Sequence, residues 1–239
     1  MKELPNESAA TADFEFAALR AAQNYRRALL KLFAPHLRGR VIEIGAGVGQ
    51  FTEQLIKLPQ IQHLLAIEPD SRFCAEFRKT LPGQTLHEGI ISSLTDAEPW
   101  NGILSINVLE HIREDEDELS AYFKLLCQQR GKLCLFVPAR QEIYAPIDDD
   151  FGHHRRYSRP ELRQKLERAG FKTLQLHYFN VTGYFLWWLN FCVFKQRKFN
   201  TGSVQLFDRY LFPCTFGLES NVCWPPFGQS LVAVAEAGG

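Results

Sequence analysis

Apolar and polar positions along the chain change period several times, and each change predicts an element. Between residues 14 and 37 the apolar side chains (Phe14, Ala17, Leu19, Ala22, Tyr25, Leu29, Leu32, Phe33) recur at helical spacing among arginines, and Gly39 closes the run. Residues 41–44, Val-Ile-Glu-Ile, form a short strand of buried type. Gly45-Ala46-Gly47-Val48-Gly49 then turns the chain into a helix over 50–58. A second strand is expected at 63–67, and Asp70 is placed to cap a helix over 71–80. Further strands are expected at 84–88, 103–108 and 131–137. A helix over 115–129 begins with acidic residues, as its dipole favours.

Beyond residue 138 the pattern is less regular. Residues 139–157 lack a clear period and read as a long loop or lid. Ser158-Arg159-Pro160-Glu161 is a capping box that starts a helix ending near Ala169. A strand follows at 173–179 and a last one at 230–235, while 180–226 is rich in aromatics and carries no clear element. Strands alternating with helices from residue 41 onward predict an α/β fold with a largely parallel sheet. Ligands bind such sheets at the carboxyl ends of the strands, where the glycine turn falls.

Composition narrows the function classes. The 239 residues carry 27 Lys plus Arg against 27 Asp plus Glu, so no excess positive charge points to a nucleic-acid partner. The 46% apolar content excludes a disordered chain. Six scattered cysteines form no C-x-x-C pair and no zinc spacing, so no metal is expected and a reduced, cytoplasmic setting is. The longest apolar stretch, 181–194, falls short of the roughly 20 residues a spanning helix needs. Its aromatics and the following Lys195, Arg197 and Lys198 leave room for an acceptor pocket, a dimer face, peripheral contact with a bilayer, or plain core packing.

The strongest chemical signal is the strand–glycine turn. Three glycines spaced G-x-G-x-G let a ligand approach bare backbone. Glu68, nineteen residues after Gly49, is placed to accept both hydroxyls of an unphosphorylated ribose. A dinucleotide site would prefer G-x-G-x-x-G. Here Glu43 precedes the first glycine by two and would repel a pyrophosphate, whereas it suits a ligand bearing an ammonium group.

Those residues resemble a known family. Glu43-x-Gly45-x-Gly47-x-Gly49 resembles the first motif of class I S-adenosylmethionine-dependent methyltransferases, and Ala66-Ile67-Glu68-Pro69-Asp70 their second. Asn107-Val108-Leu109-Glu110-His111-Ile112 and Gly131-Lys132-Leu133 resemble later segments of the small-molecule branch, types 11 and 12. The likeness implies a single domain: a helical cap over 1–39, a cofactor core over 40–138, acceptor-side loops and an insertion over 139–228, and a last, antiparallel strand over 229–239. It implies seven strands in a Rossmann-like sheet with helices on both faces. It also implies that Glu43 and the backbone of Gly45, Ala46, Gly47 and Gly49, with Thr52, hold the methionine portion of S-adenosylmethionine. Glu68 would take the ribose, Pro69, Asp70 and Ile90 the adenosine side, and Asn107 and Val108 the neighbourhood of the sulfonium.

Residues 137–162 resemble a P…Y…D…GHxRRY…EL stretch found in a subset of these enzymes. His153 and His154 are the candidate proton acceptors, with His111 and Tyr144 behind them. Arg156 and Tyr157 are candidates to orient the acceptor, as are Tyr25, Asn180 and Trp187. The alternative for this block is an ion-paired loop of Asp148–Asp150 with Arg155–Arg156 in which one histidine serves as a structural hydrogen-bonder. The expected activity is methyl transfer to an O, N or C atom of a small, partly apolar acceptor, by a monomer or homodimer. An intramolecular reaction of S-adenosylmethionine releasing methylthioadenosine stays open on the same residues. An NAD-dependent oxidoreductase or a non-catalytic nucleoside-binding module are the rival classes.

Overall fold

The computed structural model describes residues 21–94, 98–197, 201–221 and 225–238. The start of the predicted first helix, residues 14–20, lies outside them, as does Cys223. Seven strands form one sheet: β1 (Gly39–Ile44), β2 (Ile61–Glu68), β3 (Leu86–Glu88), β4 (Gly102–Ile106), β5 (Lys132–Pro138), β6 (Phe171–Phe179) and β7 (Ser230–Ala237). Their spatial order is β3-β2-β1-β4-β5-β7-β6. β1 to β5 pair in parallel, and β7 lies antiparallel between β5 and β6. The order reverses between β1 and β4, which leaves a crevice beyond the carboxyl ends of those two strands.

Both sheet faces are covered, as a parallel sheet requires. Ile42, Ile44, Ile103, Leu133 and Leu135 point to one face and pack against α4 (Asp115–Leu126) and α6 (Arg159–Arg168). The alternate positions Val41, Leu104, Cys134, Phe136 and Val234 point to the other, against Leu29 and Phe33 of α1 (Gln23–Phe33). The expected helix after the glycine turn is a single turn, α2 (Thr52–Leu55). α3 (Ser71–Thr80) begins where Asp70 accepts the Arg72 backbone N–H at 2.8 Å.

Two segments differ from their expected form. Residues 139–157 are no lid: they hold a short helix, α5 (Pro146–Asp150), and bury Ile143, Ile147 and Asp148. The aromatic segment is helical. α7 (Val181–Trp187) continues through a π-helical turn over Trp188–Val193, and α8 (Thr201–Leu206) runs through a second, Phe207–Leu211, into α9 (Phe212–Asn221). The insertion is tied down by carboxylates at helix starts. Asp208 accepts the backbone N–H groups of Asn24 and Tyr25 at 2.9 and 2.8 Å, and Glu219 accepts those of Asn180 and Val181, both at 2.9 Å. Each satisfies donors that the first turn of a helix leaves unpaired.

Candidate active site

The glycine bend leaves β1 with φ of +68° at Gly45, +55° at Gly47 and +87° at Gly49, a region L side chains avoid. The three have different neighbours. A Cβ on Gly45 would collide with Cγ2 of Val108, and one on Gly49 would stand 2.6 Å from Leu81. Gly47 donates its N–H to Glu68 Oε2 at 2.8 Å, and the other oxygen of Glu68 accepts from Asp70 N–H at 2.9 Å. The carboxylate at the end of β2 is therefore aimed into the bend.

Glu43 lies on the last turn of β1, 4% exposed, and Thr52 Oγ1 donates to it at 2.6 Å. Burial pushes the Glu43 carboxyl up to about 8, against the bonds from Thr52 and with a contribution from Glu68. Burial raises Glu68 as well, while the N–H groups of Asp70 and Gly47 oppose the rise. Two desolvated carboxylates beside uncovered backbone favour a ligand that brings positive charge and hydroxyls, and S-adenosylmethionine fits that donor set. Ala46 is buried beneath the bend, and Ile90 is 56% exposed past the end of β3. Asp70 is occupied as the cap of α3 and in an ion pair with Arg72 at 2.6 Å.

Asn107, with φ +51°, closes β4 by donating its N–H to the Phe136 carbonyl at 2.9 Å. It also lines a cavity of about 280 Å³. Tyr25, Trp187 and Phe207 form the aromatic wall there, and Glu110, His153, Arg156 and Asn180 the polar wall. Asn107 follows β4, which pairs with β1, and the next residue, Val108, lies against Gly45 of the bend.

On the polar wall, His153 Nδ1 sits 2.9 Å from Asp148 Oδ1, and its Nε2 lies 3.9 Å from Glu110 Oε1. His111 meets the His153 ring edge-on at 4.7 Å. Burial and the neighbouring His153 lower His111 to about 4. Asp148 is fully buried, which alone would raise its carboxyl. The bonds from His153 and the Arg156 guanidinium outweigh burial and hold it below the ordinary carboxylate range. This is an ionised acid fixing one ring nitrogen of a cavity-lining histidine whose other nitrogen is buried and turned toward Glu110. Glu110, His111 and His153 each place a donor atom within 4.8 Å of the others. Such a set of one carboxylate and two imidazoles could hold a metal ion as well as exchange a proton.

Several sequence candidates stand elsewhere. His154 is exposed and anchors the loop by its backbone N–H to the Glu110 carbonyl at 2.8 Å, so it is not at the cavity wall. The Tyr144 hydroxyl lies 2.6 Å from Asp149 and 2.8 Å from the His153 carbonyl, and burial with Asp149 raises its pKa, which disfavours it as a base. Tyr157 is fully buried, with its hydroxyl 2.8 Å from Asp115, and touches no cavity. Arg156 lines the cavity, but its guanidinium is held by Asp148 at 2.8 Å and lies over the Trp187 ring at 4.3 Å. The group that Arg156 holds is thus a carboxylate of the chain itself. Arg156 pairs with Asp148 inside the loop as the ion-paired reading had it, whereas Arg155 pairs outside it, with Asp115 of α4 at 2.9 Å. Asn180 both lines the cavity and caps α7, accepting the Gly183 N–H at 2.9 Å. Glu110 and Asp148 were missed as site residues. Their signals were an acid next to His111 and an acid five residues before His153.

Comparison with known proteins agrees with this geometry. A family model described as a methyltransferase domain matches residues 15–176. A solved complex between the Haloferax volcanii Trm112 methyltransferase activator and its candidate methyltransferase aligns with TM-score 0.64 at 14% identity, covering all of both chains. An S-adenosylmethionine-dependent methyltransferase of Clostridium acetobutylicum aligns at 0.59 and 12% identity, over 91% of this chain and 92% of its own. One from Mesorhizobium loti aligns at 0.57 and 15% identity, over 87% and 95%. No curated protein matches the sequence. At these identities the solved structures establish the fold, and the family model, spanning well over half the chain, establishes kinship. The chain belongs to the methyltransferase-domain family and is a class I S-adenosylmethionine-dependent methyltransferase.

Proposed function

We propose that the chain methylates an oxygen, nitrogen or carbon of a small, partly apolar acceptor seated in the cavity beyond Asn107. The observation that carries this reading is the Asp148–His153 pair at the wall of a hollow lined by aromatic side chains and by Asn107. When bound, S-adenosylmethionine supplies a methyl group already activated by its sulfonium. Glu43 and the Gly45–Gly49 backbone hold its amino-acid portion, Glu68 its ribose, Pro69 and Ile90 the adenine side, and Asn107 and Val108 the reacting end.

The protein's further tasks are alignment and proton removal. Asp148 keeps His153 in the tautomer with hydrogen on Nδ1, so Nε2 is the atom that takes the acceptor's proton. Buried Glu110 beside it stabilises the imidazolium that results. Tyr25 and Trp187 grip the apolar part of the acceptor, and Arg156 acts through Asp148 as a positioning residue. Among the described residues Cys74, Cys127, Cys134, Cys192 and Cys214 are all free thiols, which supports a reducing, cytoplasmic setting.

The test is turnover with a panel of phenols, amines and fatty carboxylates, with the nucleoside product identified by mass spectrometry. S-adenosylhomocysteine together with a methylated acceptor is expected. Methylthioadenosine as the product would replace this reading with the intramolecular one.

A further inference from the structure

The insertion carries apolar side chains on two opposite sides. On α7 and its π-turn, Trp187 and Phe191 face inward, while Phe185, Trp188, Leu189, Val193 and Phe194 face solvent, the last 61% exposed. From α8 into α9, Leu206, Tyr210, Cys214 and Leu218 recur every fourth residue and are all exposed, Leu218 at 66%. A monomer rarely leaves so much aromatic and aliphatic surface on one element without an occupant.

The charges of the same segment are sorted. Residues 181–221 contain Lys195, Arg197, Lys198 and Arg209 against two acids, Asp208 and Glu219. Both acids are turned inward onto backbone N–H groups of Asn24, Tyr25, Asn180 and Val181. Lys195 and Arg209 are exposed, and Arg197 pairs with Asp150 at 3.3 Å while remaining 62% exposed. The outward charge of the insertion is therefore positive although the chain as a whole is neutral. Trp and Tyr with long basic side chains at their margins suit the boundary between acyl chains and anionic headgroups. A second copy of the chain would bring the same cations against these, which disfavours self-association through this face.

We propose that the outward side of the insertion docks on an anionic lipid bilayer. The helices stay in the interface; among the described residues no helix is long and apolar enough to cross a membrane. The rim of the active-site cavity is built on the same helices, with Leu186, Asn190 and Ser203 at its exposed edge. Docking in this way turns the cavity mouth toward the lipid, so an acceptor carried on an acyl or prenyl chain enters without crossing water. The docking itself does not depend on the methyl-transfer reading.

The full chain is floated with vesicles of phosphatidylcholine alone and of phosphatidylcholine containing phosphatidylglycerol. Binding is expected with the anionic vesicles, weak binding with the neutral ones, and partial release as salt is raised. Trp188→Ser with Phe194→Ser is expected to lower the partition coefficient at least about tenfold while leaving S-adenosylhomocysteine binding and the melting temperature in place. Lys195→Glu with Arg209→Glu is expected to remove the preference for anionic lipid. The proposal is overturned if folded protein that binds the nucleoside ignores anionic vesicles, or if the Trp188/Phe194 variant floats like the wild type. Sedimentation showing a lipid-free dimer that the same variant dissociates would overturn it too, by giving the face to a second copy. Loss of methyl transfer with flotation intact would count against the enzymatic reading alone.

Discussion

One oxygen of Asp148 serves two partners: His153 Nδ1 at 2.9 Å and the Arg156 guanidinium at 2.8 Å. Its second oxygen accepts the Ala145 N–H at 2.9 Å, so both oxygens of this buried carboxylate are engaged within its own loop. The loop after β5 is thus ordered around a single ionised acid. The orientation of His153 toward the cavity follows from it.

Asp148→Asn keeps the shape but lets the amide present either an oxygen or an N–H to His153. Turnover is expected to fall about 10²-fold, with the KM for S-adenosylmethionine nearly unchanged, because the altered group orients the base and does not touch the cofactor. The pH profile of kcat should change shape as well, which a merely structural lesion would not produce. Asp148→Ala strands Arg156 as a buried unpaired cation and should cost about 3–5 kcal/mol in chemical denaturation.

Glu43 predicts a proton coupled to cofactor binding. Its carboxyl sits near 4.5 in an unfolded chain and at about 8 in the folded one. Between those values the free native state holds a proton that the unfolded state has lost. The stability of the cofactor-free protein should therefore decline as pH rises through this window and level off above it. An ammonium arriving beside Glu43 favours the carboxylate, so S-adenosylmethionine affinity should increase as pH approaches 8. Calorimetry in buffers of different ionisation enthalpy should show proton release near neutral pH, and Glu43→Gln should abolish both the release and the slope.

Gly45→Ala places a methyl against Val108 and forces an L residue to φ +68°. A destabilisation of about 1–3 kcal/mol is expected, together with loss of nucleoside binding. Val108→Ala in the same chain should recover part of the stability, since it removes the collision and leaves the backbone strain. Full recovery of the melting temperature would show that the conformation of Gly45 carries no cost.

Asp208 and Glu219 should act on the acceptor cavity without touching it. Asp208→Ala removes the two carboxylate oxygens that receive the Asn24 and Tyr25 N–H groups, at a cost of about 1–2 kcal/mol. Hydrogen exchange should accelerate at Asn24 and Tyr25, and acceptor KM should rise while cofactor affinity holds. Glu219→Ala should do the same at Asn180 and Val181. Unchanged exchange in both variants would mean that the insertion is held by its aromatic contacts alone.

The cofactor half of the protein was legible residue by residue. Strand, bend, carboxylate and cap are separated by short stretches of chain, so Glu43, the three glycines, Glu68 and the Asp70 cap declare themselves through local spacing. The capping box at Ser158 and Glu161 is legible for the same reason. The acceptor half was only partly so. His153, Tyr25, Asn180 and Trp187 could be named as candidates, yet His154 and Tyr157 carried the same motif signal and proved to be a solvent-facing anchor and a buried strut.

The amino-acid sequence by itself determined the α/β alternation and the uncovered backbone after β1, because these depend on period and on spacing within one βαβ unit, and its resemblance to a known family implied the cofactor. Tertiary structure alone decided which of two adjacent histidines faces the cavity, that Arg156 is satisfied by Asp148, and that the aromatic segment folds as helices with both acids turned inward. Those outcomes depend on which buried charge finds which partner: Asp148 meets His153 and Arg156 within its own loop, whereas Asp208 and Glu219 reach backbone far away in the chain. Desolvation settles that choice only once the sheet has brought the candidates to one edge.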